Sequence, residues 1–426
     1  MSMINSVRKG IKTLRPWFNT STGTTLDFQM KNAKGPYIHC SNNKKIMDFT
    51  SGLMVSNLGH NNKYINNKMI ETIDNGLLYF PPSVLTDERE KLSSRLIYKS
   101  NITDGKVFYT NGGADANEAA IYFVKQFFNN KSDKSDKSRI LRFQNSFHGG
   151  STYMSSYLGG DNRRNDKDLH FKIPFKDDAI MPNPIGNGKD SLDKIEKLFN
   201  KEHQKIAGIL IEGSSGTGGC YIYPNNYYNK LETLAKKYNI LVIVDEVMSG
   251  FGRTGKLFGY QNYNGNPDII TMAKGLTNGC VPMGAVILSK EISKDFEVNS
   301  VNTGLTYSGH QLACATANAC LDLYTDELFH QVKKNEKTIE SYLRYFKISY
   351  SHLIKDCRGI GQLYCIEFYD NYVFNINKNL IENNVFTFFK GNNLFIAPPL
   401  IISEMELIET LEKLDYSLSC SNNYYP

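Results

Sequence analysis

The sequence predicts an α/β fold, in which helices flank a mostly parallel central sheet and a smaller α+β domain is attached. Between residues 107 and 289, short apolar runs of strand length alternate with helix-like segments. This alternation is typical of parallel sheets covered by helices. Beyond residue 312, longer helical segments and two isolated strand-like runs follow. We therefore expect a large α/β domain over 51–311, and a small α+β domain formed by 1–50 and 312–426.

The elements of the large domain follow from apolar runs that end in polar or glycine-rich turns. A helix is expected to start near Asp115, after the first strand, and another to span Tyr227 to Tyr238. The polar segment Asn129–Ser138 predicts a solvated loop. The predicted strands are, in chain order, 107–110, 139–143, 206–212, 240–245, 267–273 and 283–289.

The small domain is expected to combine three helical segments with two strands. Helical periodicity covers Leu312–Tyr324 and an amphipathic segment around Gln331–Tyr345. Strand-like runs follow at Gly361–Phe368 and Asn393–Ala397, and a final helix is predicted over Ser403–Leu418.

The composition excludes several classes of protein. The net charge is +6 and no basic block with interleaved aromatic residues occurs, so nucleic-acid binding has little support. The longest apolar runs have strand length, so no membrane-spanning helix is expected. Eight scattered cysteines without a C-x-x-C pair favour reduced thiols and a cytoplasmic location. The basic, acid-free residues 1–17 leave a mitochondrial targeting segment as an alternative.

An acid and a lysine at the ends of two apolar strands are the most informative pair of residues. The run Ile240–Val244 is followed by Asp245 and Glu246. A second apolar run, residues 267–273, is followed by Lys274, which has small residues on both sides. Open α/β sheets bind ligands at the carboxyl ends of their strands. The pair is either a buried ion pair or a cofactor site. In a cofactor site, the acid would hold a ring nitrogen protonated while the lysine forms a Schiff base with an aldehyde.

The segment Thr110–Asp115 follows a strand and opens a helix. Small residues let the main chain approach an anion, and the helix start offers unpaired N–H groups, so the amides of Gly113 and Ala114 could bind a phosphate. A tight turn without a ligand is the alternative.

Four further residues carry side chains that suit a planar, phosphorylated ligand. Phe147 could stack on a ring with His148 beside it, or both could serve the core and a turn. Glu212 ends a strand and could contact a ligand or act as a structural acceptor. Thr306 could bind phosphate or cap the following helix.

In order along the chain, these segments resemble the class III pyridoxal-phosphate-dependent aminotransferases of fold type I. The resemblance runs from about Trp17 to the C-terminus. It is carried by Gly35-Pro-Tyr, Leu58-Gly-His, Tyr109-Thr-Asn-Gly-Gly-Ala, Ser146-Phe-His-Gly, Asp245-Glu-Val-Met-Ser-Gly-Phe-Gly-Arg-Thr-Gly, Ala273-Lys-Gly, Thr306-Tyr-Ser-Gly-His, Arg358-Gly-Ile-Gly and Ala397-Pro-Pro-Leu.

The resemblance implies a role for each candidate residue. Lys274 would carry pyridoxal 5'-phosphate and shuttle a proton, and Asp245 would pair with the pyridine nitrogen. Phe147 and Val247 would pack on the two faces of the ring, with His148 and Glu212 in the same cofactor site. Gly113 and Ala114 would bind the phosphate together with Thr306 of a second copy. A homodimer with shared active sites, or a tetramer, is therefore implied.

The motifs are most similar to the branch that moves amino groups from taurine, β-alanine or other ω-amino compounds to a keto acid such as pyruvate. Three positions depart from the family pattern: Ser214-Ser215, Gln311 in place of a usual proline, and Lys390 where many relatives have an arginine that binds the substrate's acid group. An amino-acid racemase or epimerase and a semialdehyde aminomutase share this scaffold and are alternatives. A non-catalytic binding protein is a third alternative, against which the joint presence of Asp245 and Lys274 argues.

Overall fold

A seven-stranded sheet forms the centre of the molecule. The computed structural model describes residues 29–131, 136–151, 154, 180–370 and 372–421, so the basic segment 1–17 lies outside the described residues. The strand order is β4-β10-β9-β8-β7-β5-β6. The strands are β4 Lys106–Thr110, β5 Arg139–Phe143, β6 Ile180–Met181, β7 Ile206–Glu212, β8 Leu241–Asp245, β9 Ile269–Met272 and β10 Gly284–Leu288.

This sheet is mostly parallel, and its register brings the ends of three strands together. Strand β10 is antiparallel to both its neighbours, whereas β9, β8, β7, β5 and β6 run in one direction. Asp245 pairs with Glu212 on one side and with Thr271 on the other. Strands β7 and β8 are buried along their whole length, as expected of strands covered by helices on both faces. The α/β prediction is confirmed.

Helices cover this sheet and connect its strands. Helix α3 begins at Gly113, two residues before the predicted start, because the extended Gly112 turns the chain directly from β4 into the helix. Helix α5 ends at Lys237, one residue before the predicted end. The helices of this part are α1 Lys63–Asp74, α2 Asp87–Ser100, α3 Gly113–Asn129, α4 Lys189–Glu202, α5 Tyr227–Lys237, α6 Lys290–Val298 and α7 Gln311–Leu323.

Two four-stranded sheets and three helices form the remaining part. The sheet orders are β1-β2-β3-β13 and β11-β12-β15-β14. The N-terminal strands join the C-terminal part where β13 pairs in parallel with β3. The strands are β1 Met30–Lys34, β2 Tyr37–Cys40, β3 Lys45–Asp48, β11 Ile354–Ile360, β12 Leu363–Phe368, β13 Val385–Phe386, β14 Phe389–Lys390 and β15 Asn393–Ile396. The helices are α8 Asp326–Ser349, α9 Tyr372–Glu382 and α10 Glu404–Ser421.

The described residues form five buried apolar clusters, two of which surround the large sheet. Helices α8 to α10 and the small sheets share one cluster, which includes Phe49, Phe346 and Leu411. The apolar side chains of α7, such as Ala313 and Cys320, belong instead to one of the clusters around the large sheet. The division at residue 311 therefore stays a prediction.

A single buried arginine fastens the two parts to each other. Arg253 donates to the main-chain oxygens of Gln362 and Pro398, and also to Ser51 Oγ and Asn57 Oδ1, at 2.5–3.1 Å. Arg253 thus satisfies four of its N–H groups with neutral acceptors in the described chain, and it needs no ion pair to fix the glycine-rich loop after β8. Its burial lowers its pKa to about 10.

Candidate active site

A cavity of about 220 Å³ opens at the carboxyl ends of β7, β8 and β9. This is the edge at which open α/β sheets bind ligands. All the predicted cofactor-contacting residues except Thr306 line it. The lining residues are Gly113, Ala114, Asn117, Phe147, His148, Gly149, Gly150, Glu212, Ser214, Thr217, Asp245, Val247, Met248, Ala273 and Lys274.

The carboxylate of Asp245 is held by three hydrogen bonds from neighbouring residues. Oδ1 accepts from Val247 N at 2.9 Å, and Oδ2 lies 2.8 Å from both His148 Nδ1 and Asn117 Nδ2. Because a carboxylate accepts only, His148 carries its proton on Nδ1. His148 also lines the cavity, so its predicted place in the cofactor site stays a prediction beside this contact with Asp245. Asp245 is thus fixed in one orientation.

Asn117 and Thr271 were missed by the sequence analysis, although they complete this network. Thr271 Oγ1 donates to Asn117 Oδ1 at 2.6 Å, so the amide nitrogen must face the other way. Asn117 Nδ2 then donates to Asp245 and to the main-chain oxygen of His148, each at 2.8 Å. Asn117 lies one helical turn after Gly113, which places it on the pocket side of α3. The four-residue spacing between Gly113 and Asn117 was therefore the signal in the sequence that could have identified Asn117.

Lys274 is presented to the cavity by a constrained main chain. Its φ is +46°, a left-handed conformation that is rare for a residue with a side chain and is concentrated at functional sites. In the described part of the chain, the ammonium group makes no ion pair with Asp245, so the plain ion-pair alternative is excluded. Burial lowers the pKa of Lys274, although Asp245 and Glu212 oppose that shift. The amine is therefore closer to its neutral, nucleophilic form than a surface lysine.

The start of α3 forms the end of the cavity at which the sequence predicts a phosphate. Gly113 is the first residue of this helix, so its N–H and that of Ala114 have no partner within the helix. A Cβ atom at Gly113 would lie 2.8 Å from Val247 Cγ1. Glycine therefore lets Val247 pack directly over the helix start, which places the anion site beside the predicted ring site.

Glu212 is a second buried acid in the cavity. Burial, followed by the charge of Asp245, raises the pKa of Glu212 to about 8. One of its oxygens accepts from Gly216 N at 3.2 Å. The Lys390 ammonium lies 5.5 Å from the centroid of the Phe147 ring and favours the charged form of Glu212. The side of the cavity near Phe147 thus has an acid and a base within electrostatic reach.

Glu246, the second acid of the strand end, has a structural role. Its oxygens accept from Ser249 Oγ at 2.7 Å and from the main-chain N–H groups of Gly259 and Tyr260 at 2.8 Å. Burial raises its pKa to about 7. It is absent from the cavity lining, so the two adjacent acids serve different purposes.

Thr306 lies apart from the cavity of its own chain. It is exposed in a turn closed by a hydrogen bond from Ser308 N to Leu305 O. Its predicted contact with phosphate requires a second copy of the chain, and this role stays a prediction.

Comparison with known proteins identifies the family. The model of the class III aminotransferases matches residues 18–418. The chain belongs to the class III aminotransferases. As a member of this family it is a transaminase, and its cofactor is pyridoxal phosphate.

Several relatives of this aminotransferase cover most of its length. Gamma aminobutyrate transaminase 2 of Solanum lycopersicum is 31% identical over 414 residues, which are 89% of this chain and 88% of the relative. The mitochondrial acetylornithine aminotransferase of Candida glabrata is 34% identical over 338 residues, covering 77% and 75%. A solved taurine:2-oxoglutarate aminotransferase of Bifidobacterium kashiwanohense, in complex with PLP and glutamate, matches with a TM-score of 0.89 at 30% identity, covering 99% and 98%.

The residues of the cavity fit this cofactor. The cavity is lined by a buried acid that would pair with a ring nitrogen, and by a lysine that would bind an aldehyde. The helix that starts at Gly113 would bind a phosphate through its first N–H groups. When bound, the cofactor supplies an electron sink for the carbon that carries the amino group. Asp245, Lys274 and the amides of Gly113 and Ala114 are the groups that would hold it.

Proposed function

We propose that this aminotransferase moves an amino group from an ω-amino acid or amine, similar to taurine or β-alanine, to a keto acid such as pyruvate. The observation that carries the proposal is the position of Lys390, whose ammonium lies 5.5 Å from the centroid of Phe147, a ring that lines the same cavity as Lys274. An ω-amino acid carries its amine and its acid group at opposite ends, which suits a site with one lysine for the amine and a separate cation for the acid group. The names of relatives that act on γ-aminobutyrate and taurine support the same substrate class.

Each cavity residue has one task in this proposal. Lys274 accepts the proton from the donor carbon, a role favoured by its lowered pKa. Asp245 holds the ring nitrogen protonated, and Phe147 and Val247 enclose the ring. Lys390 attracts the acid group of the donor, as a point charge without the bidentate geometry of arginine.

A donor screen tests the substrate class. Purified protein saturated with pyridoxal phosphate is mixed with taurine, β-alanine, 4-aminobutyrate, ornithine or simple amines, and the cofactor spectrum is followed. We expect conversion to the amino form of the cofactor with ω-amino donors, and its reversal by pyruvate. A protein that isomerises a substrate without an acceptor would instead be a racemase or an aminomutase. In Lys274→Ala, the spectral change should be lost.

We also propose a homodimer with shared sites, with association of dimers into a tetramer as the alternative. Segments 75–86 and 301–307 expose several large apolar side chains, more than isolated surface residues require. They include Leu77, Tyr79, Phe80, Leu85, Leu305 and Tyr307. Sedimentation velocity should give a dimer mass or its double, and a monomer at micromolar concentration would contradict the proposal.

A cytoplasmic location is the last part of the proposal. All eight cysteines are free thiols, which agrees with a reducing compartment. No helix in the described ranges is long and apolar enough to cross a membrane. Cell fractionation tests this location, and recovery in mitochondria would support the targeting alternative for residues 1–17.

A further inference from the structure

Arg89, in the first turn of α2, is a buried cation that binds only main-chain oxygens. Nε and Nη2 donate to Gly309 O at 3.2 and 3.0 Å. Nη1 donates to Val84 O at 2.6 Å and to Pro82 O at 3.2 Å, and Nη2 also reaches Phe80 O at 3.4 Å. All five N–H donors are thus used. Among the described residues, no carboxylate lies within ion-pair distance of this guanidinium.

These acceptors belong to two loops that are distant in sequence. We call residues 78–86 the first loop and residues 304–311 the second loop. Arg89 reaches three carbonyls of the first loop and one of the second. A buried charge is tolerated only when its donors are satisfied, so the guanidinium requires both loops in place at the same time.

Gln311 and Gly309 belong to the same arrangement. Gln311 N donates to Leu78 O at 3.1 Å, and its side-chain amide donates to the Thr86 hydroxyl. A proline, usual at this position in relatives, has no N–H for the first of these bonds. Gly309 has φ +64°, and a Cβ there would lie 2.6 Å from Arg89 Nε. Glycine is thus needed for both the turn and the close approach of the guanidinium.

The outer faces of the two loops carry the residues implied in self-association. Tyr79 of the first loop and Tyr307 of the second have ring centroids 5.8 Å apart, in an edge-to-face arrangement. Both rings are exposed, and Thr306 is exposed between Leu305 and Tyr307. The loops therefore present one continuous surface, and Arg89 lies beneath it.

We propose that Arg89 is a positioning residue, which fixes the first loop against the second and thereby places Thr306 for the cofactor phosphate in the other copy of the chain. The inference rests on the proposed homodimer. Arg89 itself is buried and is not among the residues that line the cavity. Its effect on cofactor binding passes through the geometry of the two loops.

The test compares Arg89→Gln and Arg89→Lys with a matched control, Arg95→Gln. Arg95 lies on the same helix and contacts α7 through Asn318 and Asp322, but touches neither loop. Three properties are measured: the sedimentation of the apoprotein, the dissociation constant of pyridoxal phosphate, and hydrogen exchange of peptides from both loops and from β8.

In Arg89→Gln we expect faster exchange in both loops together, unchanged exchange in β8, and weaker dimerisation. The cofactor dissociation constant should rise about tenfold or more, a difference of about 1.4 kcal/mol. Arg95→Gln should change it less than about threefold. The dissociation constant of Arg89→Lys should lie between those of the wild type and Arg89→Gln, because lysine keeps the charge but lacks the five N–H donors of arginine.

Three results would overturn the proposal. The first is cofactor affinity in Arg89→Gln equal to that of Arg95→Gln. The second is exchange that rises in one loop only, and the third is exchange that rises across the whole chain. A wild-type protein that is monomeric, or that fails to bind the cofactor, would instead refute the proposed homodimer or cofactor site before Arg89 is tested. Unchanged cofactor affinity in Thr306→Ala would contradict the proposed contact of Thr306 with the cofactor phosphate.

Discussion

The substitution Thr271→Val tests how the acid of the active site is held in place. Valine matches threonine in shape and removes one hydroxyl, which donates to Asn117 Oδ1 at 2.6 Å. Both side chains are almost completely buried, so water cannot replace the lost donor. An unsatisfied buried acceptor costs about 1–3 kcal/mol. The Asn117 amide can avoid this cost only by turning, which breaks its bonds to Asp245 and His148.

The expected effect has two parts. The free energy of unfolding should fall by about 2 kcal/mol, the middle of the range for an orphaned buried polar group. The dissociation constant of pyridoxal phosphate should rise about tenfold, because 1.4 kcal/mol of lost carboxylate orientation corresponds to that factor. Urea denaturation of the apoprotein measures the first change, and titration of the cofactor absorbance measures the second.

Thr316→Val is the matched control. Thr316 is equally buried, but its hydroxyl donates to Leu312 O within its own helix and touches no active-site residue. Cofactor affinity should therefore stay within about twofold of the wild type, as for substitutions away from a polar network. The double variant Asn117→Leu with Thr271→Val should cost less than the sum of the single changes. Equal cofactor affinity in Thr271→Val and Thr316→Val would refute the reasoning.

Three further predictions concern the cavity. Lys390→Ala should raise KM about tenfold for donors with an acid group and leave KM unchanged for simple amines. Lys390→Arg should keep the KM for acid donors close to that of the wild type. A uniform loss for all donors would contradict the assigned role. Gly113→Ala should weaken cofactor binding about tenfold, because the new Cβ would lie 2.8 Å from Val247. Adding Val247→Ala should restore part of the affinity. Unchanged affinity in Gly113→Ala would contradict the packing argument. Burial and the charge of Asp245 raise the pKa of Glu212 to about 8 from 4.5. The folded apoprotein therefore holds the Glu212 proton more tightly than the unfolded chain does. The free energy of unfolding falls as the pH rises from about 4.5 to about 8. In Glu212→Gln, the pH dependence of the unfolding free energy between about pH 5 and pH 8 should decrease by up to about 1.4 kcal/mol per pH unit, and an unchanged slope would contradict the raised pKa.

The fold and most of the cavity could be predicted because their signals are local. The apolar run before Asp245 ends in an acid at a strand end, and the glycines before α3 mark a turn into a helix. These features depend on neighbours in sequence. From the sequence, Asp245 and Lys274 could form either a buried ion pair or a cofactor site. The ion pair is excluded, because the Asp245 oxygens accept hydrogen bonds from His148 and Asn117 instead.

The features that escaped prediction depend on contacts between distant segments. Thr271 and Asn117 meet only when β9 lies beside the pocket side of α3, and neither residue type is unusual where it stands. Arg253 lies in a glycine-rich loop, and its acceptors come from segments more than 100 residues away on both sides in sequence. Arg89 likewise finds its acceptors on main-chain atoms, which no side-chain pattern reveals.

The pairing of β3 with β13 has a consequence for the synthesis of the protein. Met47 pairs with Val385, so the sheet that holds the first described strands gains its last strand only after translation has passed Val385. At about 5–20 residues per second, the nascent β3 waits on the order of tens of seconds with one edge unpaired. Exposed strand edges invite pairing with other chains. A ribosome-associated chaperone that shields this edge would raise the yield of the native enzyme, whereas the central sheet, complete at β10, can form earlier.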